Sequence, residues 1–90
     1  MAHFTSSHEI EEWLRSVGSH AGLTSHQREA VHEVMMKHYR SGVGIPEYDL
    51  PKLLKDLRKL RDETHALGTS SHSAVEKALQ EEFEGGTAAA

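Results

Sequence analysis

Eight histidines in ninety residues are the first residues to test for chemistry. His20, His26, His32 and His38 recur every six positions. Six residues of α-helix turn through about 600°, so successive members of that series stand roughly 120° apart and cannot converge on one metal within a chain. No His-x-x-x-His pair occurs, and His32-Glu33 lacks the second histidine of a zinc-protease helix. Glu29-x-x-His32 has the spacing of a di-iron ligand pair, with Asp62-x-x-His65 as a carboxylate variant. Such a centre needs two inward-facing glutamates more, and Glu29 and His32 fall beside the apolar stripe of their segment, so a surface or half-buried role is expected for both. Serines gather where helices should begin, which is where capping uses them. The chain has no cysteine, which excludes disulfides, thiolate metal sites and thiol nucleophiles. No catalytic set, no metal site and no cofactor is expected.

Four helical segments must position these side chains. Residues 7–18 carry Ile10, Trp13, Leu14 and Val17 at i, i+3, i+4 and i+7, behind a Ser6-x-x-Glu9 capping box, and Gly18 or Gly22 would stop the helix. Residues 25–41 start at Thr24-x-x-Gln27, turn Ala30, Val31, Val34, Met35 and His38 inward, and end at Gly42 and Gly44. Residues 47–67 have Pro46 before them or Asp49 as cap with Pro51 in the first turn. They bear the strongest stripe, Leu50, Leu53, Leu54, Leu57, Leu60 and Leu67, up to Gly68. Residues 71–84 begin at Ser73-x-x-Glu76 and place Val75, Leu79 and Phe83 four apart. No alternating strand pattern is present. The spacing predicts an all-α fold, a small three- to four-helix bundle with a central antiparallel helix hairpin. Its core would hold Ile10, Trp13, Leu14, Val17, Val31, Val34, Met35, Ile45, Leu50, Leu53, Leu54, Leu57 and Leu60. Residues 7–84 would form one domain, between a flexible N-terminus at 1–6 and a flexible tail at 85–90.

Within the hairpin, Leu23-Thr24-Ser25-His26-Gln27, then Val31, Val34-Met35, the break at Ser41–Gly44, and Ile45-x-x-x-Asp49-Leu50-x-x-Leu53-Leu54-x-x-Leu57 resemble an EF-hand over residues 23–60. The resemblance makes Ile45 the central β-position of the loop and Asp49 its closing acid. Calcium loops carry carboxylates at positions 1, 3 and 5 and a bidentate Glu at 12. Here those places fall on His38, Arg40, Gly42 and Asp49, or, shifted by one, on Tyr39, Ser41, Val43 and Leu50. What the resemblance implies is therefore a degenerate, metal-free hand used for packing or for holding a partner.

The net charge of −4 is unevenly placed: −2 over residues 1–25, +3 over 26–61 and −5 over 62–90. That mild central excess is weaker than a dedicated nucleic-acid binder shows. The six-leucine stripe exceeds what one short partner helix can cover. It should be met by the last helix or by a second copy through the third and fourth helices. The functional expectation is a non-catalytic interaction or regulatory module with a protein partner or as a homodimer. Trp13, Leu57, Leu60, Val75, Leu79 and Phe83 would be its contact residues, Trp13 being otherwise a core residue. The alternative is a small DNA-binding regulator using Lys52, Lys55, Arg58 and Lys59. Otherwise those cations form a solvated face paired internally as Lys52–Asp56 and Lys59–Asp62. The start has no basic, apolar leader and no run is long enough to span a bilayer, so an intracellular, cytoplasmic protein without membrane contact is expected.

Overall fold

The computed structural model describes residues 2–88, with side chains for residues 2–84. Four helices, α1 (Ser7–Ala21), α2 (Ser25–His38), α3 (Leu50–Asp62) and α4 (Thr69–Ala88), form a ring in which α1 packs on α2 and α4, and α3 on α2 and α4. The all-α bundle and the antiparallel α2–α3 hairpin expected from the spacing are both present. A two-stranded antiparallel sheet joins β1 (Ala2–His3) to β2 (Ile45–Pro46), pairing His3 with Ile45 and Ala2 with Pro46. No helix among the described residues is long and apolar enough to cross a membrane.

α1 begins where the Ser6 hydroxyl accepts the Glu9 N–H at 3.3 Å. Glu9 does not close the reciprocal half of a capping box. It reaches one residue further back, to the N–H and hydroxyl of Thr5 at 2.6 and 3.1 Å. The helix passes through Gly18 and stops at Gly22, whose φ of 68° suits a residue without a β-carbon. Gly18 serves a different purpose: a β-carbon there would lie 2.6 Å from Cδ of Arg28, so its absence lets the Arg28 stem cross α1. At α2 both halves of the Thr24–Gln27 capping box form, at 3.1 and 3.0 Å.

α2 ends at His38, three residues before the expected limit of 41. The chain needs those residues for a tight reversal in which Arg40 and Gly44 exchange backbone hydrogen bonds of 3.0 and 2.8 Å. Gly42 and Gly44 sit at φ of 82° and 100°. A β-carbon on Gly44 would meet the carbonyl oxygens of His3 and Phe4 at 2.7 and 2.9 Å, so this glycine is where the first strand lies on the loop. A 3-10 turn (Glu47–Asp49) leads into α3, with Pro51 inside its first turn. α3 stops at Asp62 rather than 67. The chain turns back through His65 at φ 57°, and the Leu67 N–H bonds the Leu60 carbonyl at 3.1 Å. Leu67 thus enters the core from a connection instead of continuing the stripe. α4 starts at Thr69, so Ser73 lies inside it and caps nothing, and it continues past residue 84, where a tail was expected. Residues 89 and 90 of that tail lie outside the described residues.

The buried core takes Ile10 and Leu14 from α1, Val31, Val34 and Met35 from α2, Leu53 and Leu57 from α3, and Val75, Leu79 and Phe83 from α4. Ile45, Leu23, Leu67 and Phe4 close it from the connections. Trp13, Val17, Leu50, Leu54 and Leu60 are only partly buried around it. Phe4, within the start at residues 1–6 that was expected to be flexible and of which residue 1 lies outside the described residues, is buried. Its ring packs edge-on against Trp13 at 5.5 Å and beside Phe83 at 6.1 Å.

Candidate functional site

The ring of helices decides which expected contact residues can meet a partner. Leu57, Val75 and Leu79 are wholly buried and Phe83, packed beside His3 and Phe4, is 3% exposed, so these four are corrected from contact residues to core. α2 and α4 of the same chain pack on α3 and bury Leu53 and Leu57 of its stripe, while Leu50, Leu54 and Leu60 stay partly open. Trp13 and Leu60 remain partly open, but they belong to different clefts. Trp13 lies under Phe4 beside β1 and Glu82, while Leu60 faces a groove between α2 and α3.

That groove is a largely apolar opening. It encloses about 690 Å³. Ala30, Val34 and Met36 of α2 and Leu60 of α3 supply its apolar lining, and Glu33 and Lys37 stand on its rim. The α-helical period explains the arrangement. Residues 30, 33, 34 and 37 fall on one side of α2 at i, i+3, i+4 and i+7, with Met36 on the neighbouring row. Val34 leans to the core and Met36 to the outside, so a flexible thioether lies at the edge of an aliphatic floor. Among the described residues neither Glu33 nor Lys37 has an ion-pair partner.

The basic residues of α3 keep the positions expected of them: Lys52, Lys55, Arg58 and Lys59 are all exposed. Their expected neutralising partners are engaged elsewhere. Asp56 bonds Nε2 of His38 at 2.8 Å, and Asp62 takes a two-pronged contact from Arg61 at 2.7 and 3.1 Å. The Arg61 guanidinium holds the Asp62 carboxyl below its ordinary value, chiefly through that hydrogen bond. Arg58 reaches Glu76 at 3.7 Å. Lys52, Lys55 and Lys59 have no ion-pair partner among the described residues and lie in a stripe at i, i+3 and i+7.

The loop after α2 sets His38 between two carboxylates. Its Nδ1 is 3.9 Å from Asp49, which is only 6% exposed, and its Nε2 is bonded to Asp56. Positions 1 and 12 of the first loop register are thus neighbours, with an imidazole between acids from the loop's end and from α3. Among the described residues no group of three or more His, Asp or Glu is arranged to hold a metal. His32 is half-buried beside the groove, Glu29 is exposed, and His65 is exposed in the α3–α4 connection.

His72 was absent from the expected site residues, yet it is 2% exposed. Its Nδ1 faces a guanidinium nitrogen of Arg61 at 3.4 Å, and its Nε2 lies 3.2 Å from Glu76. Burial pushes its pKa down, Glu76 opposes that, and Arg61 and Arg58 reinforce it. The signal was legible: His72, Val75 and Leu79 share one helical face at i, i+3 and i+7.

Comparison with known protein families, with curated proteins and with solved structures finds no match.

Proposed function

We propose that this chain is a non-catalytic protein-interaction module that pairs with a second copy of itself through the α2–α3 groove. The observation that carries the reading is the rim of that groove. Glu33 and Lys37 stand one helical turn apart on the same side of α2, both without ion-pair partners among the described residues, beside an aliphatic floor. A two-fold axis between them sets each Glu33 against the partner copy's Lys37, so the patch is complementary to itself, as an isologous interface requires. Met36 lies beside that axis and fills whatever space the facing Leu60 and Val34 leave. The helix–loop–helix of residues 23–60 acts in this reading as an EF-hand-like frame without an ion, and the His38 imidazole between Asp49 and Asp56 fastens its two helices.

Sedimentation velocity over a concentration series tests it. The expected result is a sedimentation coefficient that rises with concentration toward that of a dimer, and a Met36→Lys variant that stays monomeric with an unchanged helical spectrum. Unchanged association in Met36→Lys would place any dimer elsewhere. A second reading, polyanion binding by α3, is supported by the unpaired stripe of Lys52, Lys55 and Lys59. Counter-ion release makes such binding fall steeply with salt. Loss of salt-dependent duplex DNA binding in the triple alanine variant would support it, and absence of binding at low salt would end it.

A further inference from the structure

Between α3 and the first three turns of α4 lies a polar cleft of about 350 Å³. Arg58 and Arg61 line it from α3, and His72, Ser73, Glu76 and Lys77 from α4. We propose that this cleft is a binding site for a phosphate-type oxyanion, held by Arg58, Lys77, the Ser73 hydroxyl and the buried ring N–H of His72, with Glu76 as the chain's own carboxylate occupying the place in its absence.

His72 carries most of the argument. Its ring is almost fully buried, and Nδ1 faces an Arg61 N–H at 3.4 Å. Arginine only donates, so Nδ1 must be the acceptor and the proton of the neutral ring sits on Nε2. Burial keeps the ring neutral at physiological pH by lowering its pKa. Nε2–H is then a buried donor without a hydrogen bond. The nearest acceptor, Oε2 of Glu76 at 3.2 Å, is close in distance but out of line. A buried donor beside a carboxylate that it cannot engage in line marks a place where a better-placed oxyanion would be held.

The surrounding charges favour the same ligand. Three cations, Arg58, Arg61 and Lys77, line the cleft against one carboxylate, Glu76. Asp62 occupies the Nε and one Nη edge of Arg61, which leaves that guanidinium to orient His72. Arg58 touches Glu76 only at 3.7 Å, longer than a hydrogen bond, and Lys77 has no ion-pair partner among the described residues. Glu76 is part-exposed and can rotate to solvent around its own side-chain torsions without disturbing α4. A dianionic oxyanion would make charge-assisted bonds that the monoanionic glutamate makes poorly.

The test is a titration of the full chain with inorganic phosphate, and separately with phenyl phosphate, followed by NMR at pH 7 and constant ionic strength. The proposal expects saturable shifts at the His72 ring and at the Ser73 and Lys77 amides. Saturation by phosphate alone assigns the free ion, and saturation by both assigns phosphomonoesters as the class. Glu76→Gln removes the competing charge and should tighten binding by about tenfold, while Arg58→Ala and Lys77→Ala should each weaken it by about tenfold, the effect of losing one charge-assisted contact. Shifts that never saturate, or an affinity that none of the three variants changes, would overturn the proposal. Glu76→Gln keeps the shape of the residue, so an effect of its charge is separable from a failure to fold.

Discussion

Replacing Phe4 with alanine removes the ring that ties the first strand to the helices. Phe4 is 5% exposed and contacts Trp13 of α1 and Phe83 of α4. A phenylalanine side chain buries on the order of 150–200 Å², worth about 4–5 kcal/mol at 25 cal/mol per Å² as an upper bound. Large-to-small core substitutions of this type cost about 3–5 kcal/mol. The site lies at the edge of the core, beside a two-residue strand, where the chain can close over part of the space. We therefore expect the low end, about 3 kcal/mol. A domain of this length has roughly 5–13 kcal/mol in all, so the loss is a large fraction of it. At about 4–8 °C per kcal/mol, the melting temperature should fall by roughly 12–24 °C. Urea denaturation followed by far-ultraviolet circular dichroism measures the loss. Trp13, the single tryptophan, reports the local change as a red shift in emission before unfolding. A destabilisation below about 1 kcal/mol with unchanged Trp13 emission would refute the claim that the first strand is part of the packed domain.

Gly44→Ala should cost about 2–3 kcal/mol, because it combines a φ of 100° with a β-carbon 2.7 Å from the His3 carbonyl oxygen. Hydrogen exchange should show the Ile45 amide losing protection together with the first strand. His65→Gly should stabilise the fold by about 0.5–1 kcal/mol, since His65 is exposed at a φ of 57° that a glycine adopts without strain. A higher urea midpoint would show it. His72 gives a pH dependence of definite sign. Its folded pKa lies below the ordinary 6.5, so the unfolded chain takes up the proton first as pH falls. Its contribution to stability is complete above pH 6.5 and declines as pH drops from there through the folded value. The difference in urea midpoint between the native chain and His72→Gln should therefore be larger at pH 7.5 than at pH 5.5, and the opposite order would contradict the assignment.

Periodicity revealed the helices wherever it alone governed them. Ile10, Leu14, Val31, Val34, Met35, Leu53 and Leu57 were legible as core because they recur at helical spacing and nothing competes with them. The failures are places where a tertiary contact overrides the local pattern. α2 gives up residues 39–41 because the loop must reach Gly44 and accept the first strand. Leu67 has the right spacing from Leu60 for one helix, but α3 ends at Asp62, the chain turns back at His65, and Leu67 arrives from another direction. Phe4 stands in a segment without any period, and its burial depends on α1, α4 and β2 meeting above it. Helical spacing also offered Asp56 and Asp62 to the lysines of α3. Distance within the folded chain assigned them to His38 and Arg61, and this left the α3 stripe unneutralised. The contact residues divided for the same reason: α4 docks on α1 and α3, so Leu57, Val75, Leu79 and Phe83 face inward, and an open apolar surface is left at the α2–α3 groove, where of the six only Leu60 remains.

Pairing of two copies across that groove is tested most directly by a charge swap. Sedimentation equilibrium would compare the native chain with Glu33→Lys and with the double variant Glu33→Lys/Lys37→Glu over roughly micromolar to millimolar concentrations. The two-fold arrangement predicts that the native chain dimerises, that the single reversal sets like charges against each other and yields monomer, and that the double reversal restores the dimer. A native chain that stays monomeric throughout, or a double variant no better than the single one, would contradict it.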